Sequence, residues 1–591
     1  MPDRLLVARS FHKPDNQVVV VMPAGAGNDE RERNMKAKGF EYRFRKPYAT
    51  PSERGVQPPV YSRNVEGGML IERNVAVTLR DGVKIYIDVF RPADEKPAPP
   101  IIAWTPYGKH SNGELEKSPK TGVRPGMVSR FATFEGPDPV YWVPRGYAIV
   151  NADIRGLWYS EGNATVVSPE EAEDFYDLIE WAGVQPWSNG KVGLSGVSYL
   201  AVTQWRAAEL HPPHLAAINP WEGWTDTYRE VVRHGGIPDS WFWANTLANA
   251  WGVGTISIED IVEEAREHQF YDAYWASKTA DLEKVAVPAF VVACWADQGL
   301  HLRGTLEGFR RIASAQKWLE VHGRKKWAYY YEPESVKRLQ EFFDYFLKGA
   351  ASPVTQWPRV RLEVREKYFV GKIRAANEWP LADTRYTKLH LDAKTGTIQP
   401  APVSETASCS YDALGGGPGA HRAEFDFIFK EAAELIGYTK LKLFMAAQGA
   451  DDMDIFAGAY KFDATGRFVP LAYYTFFEDG PVALGWLRAS HREVDAAKST
   501  EYQPVLAHRR ALKIEPGTVV PLEIELWPSG TRFEAGERLR LIVQGTDLHK
   551  YSKIADPIYT RHEDTVNSGR HVIYTGGQYD SYLLVPVAPP Q

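Results

Sequence analysis

Apolar and polar residues alternate from Asn74 to Pro92 (NVAVTLRDGVKIYIDVFRP) on either side of Arg80-Asp81-Gly82, the period of two strands joined by a glycine turn. Short, nearly continuous apolar runs then alternate with helical periods: PPIIAWTPYG, RGYAIVNADIRG, EEAEDFYDLIEWAG, GKVGLSGV, SYLAVTQWRAAEL. Apolar strands separated by amphipathic helices predict a parallel sheet covered on both faces, an α/β domain over residues 64–224. From Thr225 to Lys284 the alternation stops and the pattern turns helical and aromatic. It resumes at VPAFVVACWADQGL and KWLEVHG, so 225–284 reads as a helical cap inserted into an α/β domain that continues over 285–351. Beyond Ser352 short strands follow one another with Gly-, Asp- and Pro-rich turns (VRLEVRE, TKLKLFMAA, VVPLEIELWPSG, ERLRLIVQG), which predicts an all-β domain over 352–591, a sandwich or jelly roll. Residues 1–63 are charged and rich in Pro and Gly without periodicity, as in an arm laid over a domain.

Composition narrows the function classes. The 591 residues exceed one hydrophobic core, in keeping with several domains. With 69 basic against 75 acidic residues and no basic block, nucleic acid is not an expected partner. No apolar run approaches a membrane span, and the N-terminus lacks the basic-then-apolar order of a signal peptide, so a cytoplasmic protein with no membrane partner is expected. Two cysteines, Cys294 and Cys409, are too few for a disulfide framework and read as buried free thiols. No H-E-x-x-H, H-x-x-E-H or C-x-x-C spacing occurs, so neither a metal nor another cofactor is expected. Aromatic residues make up 13% of the chain, enough to line a pocket as well as fill cores; Trp221, Trp241, Trp243 and Trp295 are the candidate lining residues.

The chemistry centres on GLSGVSYLAVTQW (193–205). A nucleophile elbow needs a strand ending in a sharp turn, small neighbours, and a helix starting directly after the serine. Ser198 meets these demands, with Gly196 two places before it and the helix opening at Tyr199; Ser195 would cut the strand short and is assigned to structure. An acid and a histidine should then follow, each after a later strand. Asp297 follows VVACWA and His322 follows KWLEV, whereas His211 and His214 lie in a proline turn, His301 falls on the helix expected after Asp297, and His110 precedes the serine. Ser198 as nucleophile, His322 as base and Asp297 as its orienting acid form the expected triad. The backbone N–H of Tyr199 and the hydroxyl of Tyr107 are the expected donors to the oxyanion.

These residues resemble the family of cocaine esterase, X-prolyl dipeptidyl-peptidase and α-amino acid ester hydrolase. The resemblance rests on RDGVKIYIDVFRP, TPYGK, RGYAIVNADIRGLWYSEG, EAEDFYDLIEWAGVQPWSNGKVGLSGVSY, the CWAD segment and AGERLRLIVQG. It implies an α/β-hydrolase domain with an inserted helical cap and a C-terminal jelly roll, and carries the serine, aspartate and histidine roles to Ser198, Asp297 and His322 and the oxyanion pair to Tyr107 and Tyr199. The chain departs from the family pattern at Ala201, where a motif glycine is usual, and at EVHGRKKW, where the family often has G-P-W-x-H. The aminoacyl-specific members resemble D-Q-E-D at the aspartate; here Asp297-Gln298-Gly299-Leu300 lacks the two further acids, and an α-ammonium would be desolvated without a partner. A small neutral or aromatic ester, or an activated amide, is the expected substrate, cleaved through an acyl-enzyme. Two other readings stay open: an X-prolyl dipeptidyl-peptidase using Asp226 or Glu230 for the ammonium, and a silent carbohydrate-binding protein. A homo-oligomer is compatible with either.

Overall fold

The computed structural model describes residues 35–37, 40–94, 96–111, 115–415, 420–553, 556 and 558–589. Most of the expected N-terminal arm therefore lies outside the described residues. Its described part is pinned down: Phe44–Arg45 pairs antiparallel with Ser257–Glu259, and the Tyr48 N–H donates to the Gly252 carbonyl at 2.8 Å.

The first domain is built on β1 (Ser62–Glu66), β2 (Met69–Thr78), β3 (Lys84–Pro92), β4 (Pro100–Thr105), β5 (Ala148–Asp153), β6 (Val192–Val197), β7 (Leu215–Trp221), β8 (Ala289–Cys294) and β9 (Lys317–His322). The first three strands and β5 pair antiparallel; β5, β4, β6, β7, β8 and β9 then pair parallel in that spatial order. β4, β5, β6 and β8 are buried along their whole length, which is why they read as unbroken apolar runs. The covering helices are α1 (Pro169–Gly183), α2 (Tyr199–Ala208), α3 (Leu302–Arg311), α4 (Lys326–Tyr331) and α5 (Pro333–Lys348). α1 starts at Ser168, whose hydroxyl accepts from the Glu171 N–H, with proline at the first turn, and α5 ends at Gly349 in the left-handed region (φ +67°).

Between β7 and β8 the chain forms short pieces rather than long helices: π-turns at Tyr228–Val232 and Phe242–Leu247, helices at Ile261–Glu267 and Ala273–Ser277, and a strand pair at Arg233–His234 and Ile237–Pro238. After α5, β10 (Val360–Lys367) continues the parallel sheet beside β9 and touches the second domain through Arg365 and Thr531. That domain is β-rich and antiparallel; its longest strand, Ala433–Gln448, pairs with Val520–Phe533 along one edge and with Arg570–Thr575 and Tyr582–Ala588 along the other. Both cysteines are free. Among the described residues, no helix is long and apolar enough to cross a membrane.

Candidate active site

Ser198 stands between β6 and α2 with φ +61° and ψ −120°, a conformation that side chains other than glycine's rarely adopt. Three features hold the turn. The Val197 N–H donates to the Glu135 carbonyl and the Ser198 N–H to the Trp221 carbonyl, both at 3.0 Å. A Cβ at Gly196 would stand 2.5 Å from the Leu200 Cβ, and one at Gly223 2.8 Å from the Ala201 Cβ. The small residue at 201 therefore lets α2 pass close to the chain after β7. Ser195 is buried in β6 and hydrogen bonded to Asn219 (3.0 Å) and Tyr330 (2.9 Å), a structural position.

The Ser198 Oγ lies 3.0 Å from Nε2 of His301, and the His301 Nδ1–H donates to Asp297 Oδ2. His322 is not part of this contact: of the expected three, the structure brings Ser198 and Asp297 to one histidine, His301, and places His322 elsewhere. The cause is the turn after β8: Gln298-Gly299-Leu300 folds back with Gly299 at φ +91°, and His301, the N-cap of α3, returns over Asp297 at a spacing of i to i+4. His322, the last residue of β9, is turned away from Ser198. Its Nε2 is 3.2 Å from Glu222 Oε1, its Nδ1 accepts from the Arg324 N–H at 3.2 Å, and its ring stacks on Tyr329. The i,i+4 spacing in DQGLH was the available signal for His301.

Electrostatics suit a neutral base beside an ionised acid. Burial and the neighbouring Lys326 ammonium lower His301 to about 4, against the opposing pull of Asp297. Burial opposes ionisation of Asp297, but Lys326 (Nζ 3.6 Å from Oδ2) and His301 prevail and hold it at about 2. Burial pushes Glu135 up to about 8, against Lys326 and the Trp327 indole N–H, which donates to Glu135 Oε1 at 2.7 Å.

Tyr107, in the loop after β4, is half-buried with its hydroxyl beside Ser198 and Glu135; burial, more than the Glu135 charge, raises its pKa well above the ordinary phenol. Tyr199 opens α2, where a backbone N–H has no intrahelical acceptor. Its own hydroxyl is anchored away from Ser198, donating to Glu171 Oε2 at 2.6 Å. A run of ring contacts leads outward from Tyr107 to Phe134 (4.9 Å), Trp327 (5.6 Å from Phe134) and Phe476 of the second domain (5.3 Å from Trp327).

The four candidate pocket tryptophans are elsewhere. Trp243 and Trp295 are buried with their indole N–H groups on the carbonyls of Ile261 and Glu363, and Trp221 is buried against Tyr330 and His322. Trp241 faces the cations of Lys553 and Arg561. These are core and interdomain positions; sequence reasoning missed Phe134, Trp327 and Phe476, whose meeting depends on two turns and the helix α4 from three parts of the chain.

A strand-turn-helix serine, a parallel sheet and a separate β-rich domain place the chain in a family of serine hydrolases whose members include esterases and X-Pro peptidases. Residues 81–257 match X-Pro dipeptidyl-peptidase (S15 family), and 352–584 match the X-Pro dipeptidyl-peptidase C-terminal non-catalytic domain. The crystal structure of a CocE/NonD family hydrolase from Staphylococcus aureus is 40% identical, with a TM-score of 0.86 over 90% of this chain and 97% of that one. A cocaine esterase from Rhodococcus sp. (strain MB1 Bresler) is 26% identical over 88% of this chain and 99% of its own. An α-amino acid ester hydrolase shares the fold, at 18% identity and a TM-score of 0.67 over 90% of this chain and 98% of that one. The chain belongs to the CocE/NonD family of hydrolases.

Proposed function

We propose that the protein cleaves a carboxylic ester, or an activated amide, through an acyl-enzyme formed on Ser198. The observation that carries this is the hydrogen-bonded series Ser198 Oγ, His301 and Asp297 at a left-handed strand-helix turn. His301 Nε2 takes the Ser198 proton as Oγ attacks the acyl carbon and returns it to the leaving oxygen; Asp297 fixes the tautomer and stabilises the imidazolium. A water molecule, activated by the same imidazole, then cleaves the acyl-enzyme. The Tyr107 hydroxyl and the Tyr199 N–H are assigned to the oxyanion. The 225–284 insertion serves as the lid, and the β-rich domain, a jelly roll in this reading, buttresses the site.

The aromatic wall of Tyr107, Phe134, Trp327 and Phe476 favours an apolar or aromatic acyl group. Asp226 and Glu230 are already engaged, Asp226 with Arg229 (2.6 Å) and Glu230 with Arg303 (2.8 Å). This favours the ester over an aminoacyl substrate. The test is nitrophenol release from short-chain and aromatic acyl esters, with fluorophosphonate labelling, in wild type, Ser198→Ala, His301→Ala and His322→Ala. The expected result is loss of activity by about 10³-fold or more in the first two variants and labelling retained in the third. Loss of labelling in His322→Ala with full labelling in His301→Ala would return the base to His322.

A further inference from the structure

Behind Asp297, on the side away from Ser198, lies a closed set of polar side chains that acyl transfer leaves unused: Glu222, His322 and Cys294. Glu222 directly follows β7 in a left-handed conformation (φ +54°) and is fully buried. Its N–H donates to the Val292 carbonyl at 2.8 Å, which locks the carboxyl between the ends of β7 and β8.

The neighbours fix the hydrogen-bond directions. Because His322 Nδ1 accepts from the Arg324 N–H, the proton of the neutral ring is on Nε2, which lies 3.2 Å from Glu222 Oε1 but outside hydrogen-bond geometry. The Trp221 indole N–H is likewise buried beside the carboxyl without a hydrogen-bond partner. The Cys294 thiol donates to the Arg324 carbonyl at 3.1 Å. The ligand atoms of Glu222, Cys294 and His322 lie within 4.8 Å of one another, and without a metal the Arg324 carbonyl and N–H favour a protonated Cys294 thiol and the His322 Nε2–H tautomer.

On its other side Glu222 meets Asp297, carboxyl beside carboxyl, and both Glu222 oxygens and Asp297 Oδ1 are buried without a nitrogen or hydroxyl donor. Two touching, buried carboxyls cannot both be ionised. Lys326 Nζ and the His301 Nδ1–H lie on Asp297, so the charge belongs there and the proton to Glu222.

We propose that Glu222 is a positioning residue: a neutral carboxylic acid that donates its O–H to Asp297 Oδ1 and so aims the Asp297 carboxylate at His301. This rests on the Ser198, His301, Asp297 reading. The titratable groups facing Glu222 are Asp297 and Cys294 from β8 and its turn, His322 from β9 and Lys326 from α4, with Glu135 beyond Lys326.

The test is kcat/KM against pH for a nitrophenyl ester with Glu222→Gln, Glu222→Leu and His301→Ala in the full chain. Glu222→Gln keeps a donor to Asp297, so the acidic limb stays where it is and kcat stays within about threefold. Glu222→Leu leaves Asp297 its full charge toward the imidazolium; the limb moves to higher pH and kcat falls by about tenfold at unchanged KM. An ionised Glu222 would give the opposite sign: Glu222→Gln would then remove a negative charge and move the limb to lower pH by about half a unit or more, which overturns the proposal. So would a Glu222→Leu variant with wild-type kcat and limb. If Glu222→Leu does not fold, the Glu222→Gln profile decides. Wild-type activity in His301→Ala would overturn the triad reading and this proposal together; an inactive His301→Ala with a lowered limb in Glu222→Gln overturns this proposal alone.

Discussion

After burial itself, Lys326 is the main influence on protonation at the site: its ammonium lies 3.5 Å from His301 Nδ1 and 3.6 Å from Asp297 Oδ2. With His301 lowered to about 4, the base is deprotonated through the ordinary acidic range, and kcat/KM should hold from neutral pH down to about 5 before falling. Lys326→Met removes a cation that disfavours the imidazolium, so the limb should move to higher pH by about one unit; a limb that stays or drops shows that the lysine does not act on His301. At Tyr107 the hydroxyl is the feature that matters. Tyr107→Phe should lower kcat by about 10²-fold with KM nearly unchanged, measured by initial rates on an aromatic acyl ester, while full kcat would remove Tyr107 from the oxyanion site. The sequence made Ser198, Asp297 and Tyr107 legible because each sits where a strand ends. It pointed to a different histidine because two strand-end rules competed: His322 does end a strand, but a glycine turn brings His301, the N-cap of α3, back over Asp297. Glu222 was illegible, since nothing in PWEGW marks an acid that will face another acid.

At the scale of elements, the elbow stores strain and depends on close approach. A side chain at Ser198 is held at φ +61°, which glycine tolerates without a Cβ penalty. Ser198→Gly and Ser198→Ala should both be inactive, with the glycine variant the more stable by about 1 kcal/mol in denaturant unfolding; the reverse order would mean the turn is unstrained. Gly223→Ala brings a Cβ to 2.8 Å from the Ala201 Cβ and 2.9 Å from the Val202 nitrogen, both on α2. It should destabilise the fold by about 1–3 kcal/mol and lower kcat, because α2 carries the Tyr199 N–H. The parallel strands were legible for a simple reason: β4, β5, β6 and β8 are buried throughout and so are predominantly apolar. The 225–284 stretch was less so. Its aromatic density suggests long helices around a pocket, but Gly235, Gly236 and Pro238 break it into short turns, and Trp243 and Trp275 spend their indole N–H groups on backbone carbonyls inside the core.

At the scale of the whole molecule, the second domain holds the turn that carries Asp297 and His301. The Tyr474 N–H donates to the Ala296 carbonyl at 2.7 Å, and the Thr560 hydroxyl to the Gly299 carbonyl at 3.2 Å. Gln298, fully buried, is the central link: its Oε1 accepts from the Leu484 N–H at 3.1 Å and its Nε2 donates to the Pro528 carbonyl at 3.1 Å. A turn made largely of such contacts has no hydrogen-bonded ladder of its own, so its geometry depends on a domain that begins more than fifty residues later in the chain. Gln298→Leu keeps the volume and removes both bonds, leaving a buried N–H and a buried carbonyl unpaired at about 1–3 kcal/mol each. The expected outcome is a folded protein with a lower melting temperature and kcat reduced by about tenfold, because the Ser198 to His301 contact loosens. Removing every residue after Ser352 carries the same logic further: it strips β10 from the edge of β9 and frees the whole turn, so the fragment should aggregate and show no esterase activity. A soluble, fully active fragment, or a Gln298→Leu variant with wild-type kcat, would show that the α/β domain holds Asp297 and His301 in place by itself.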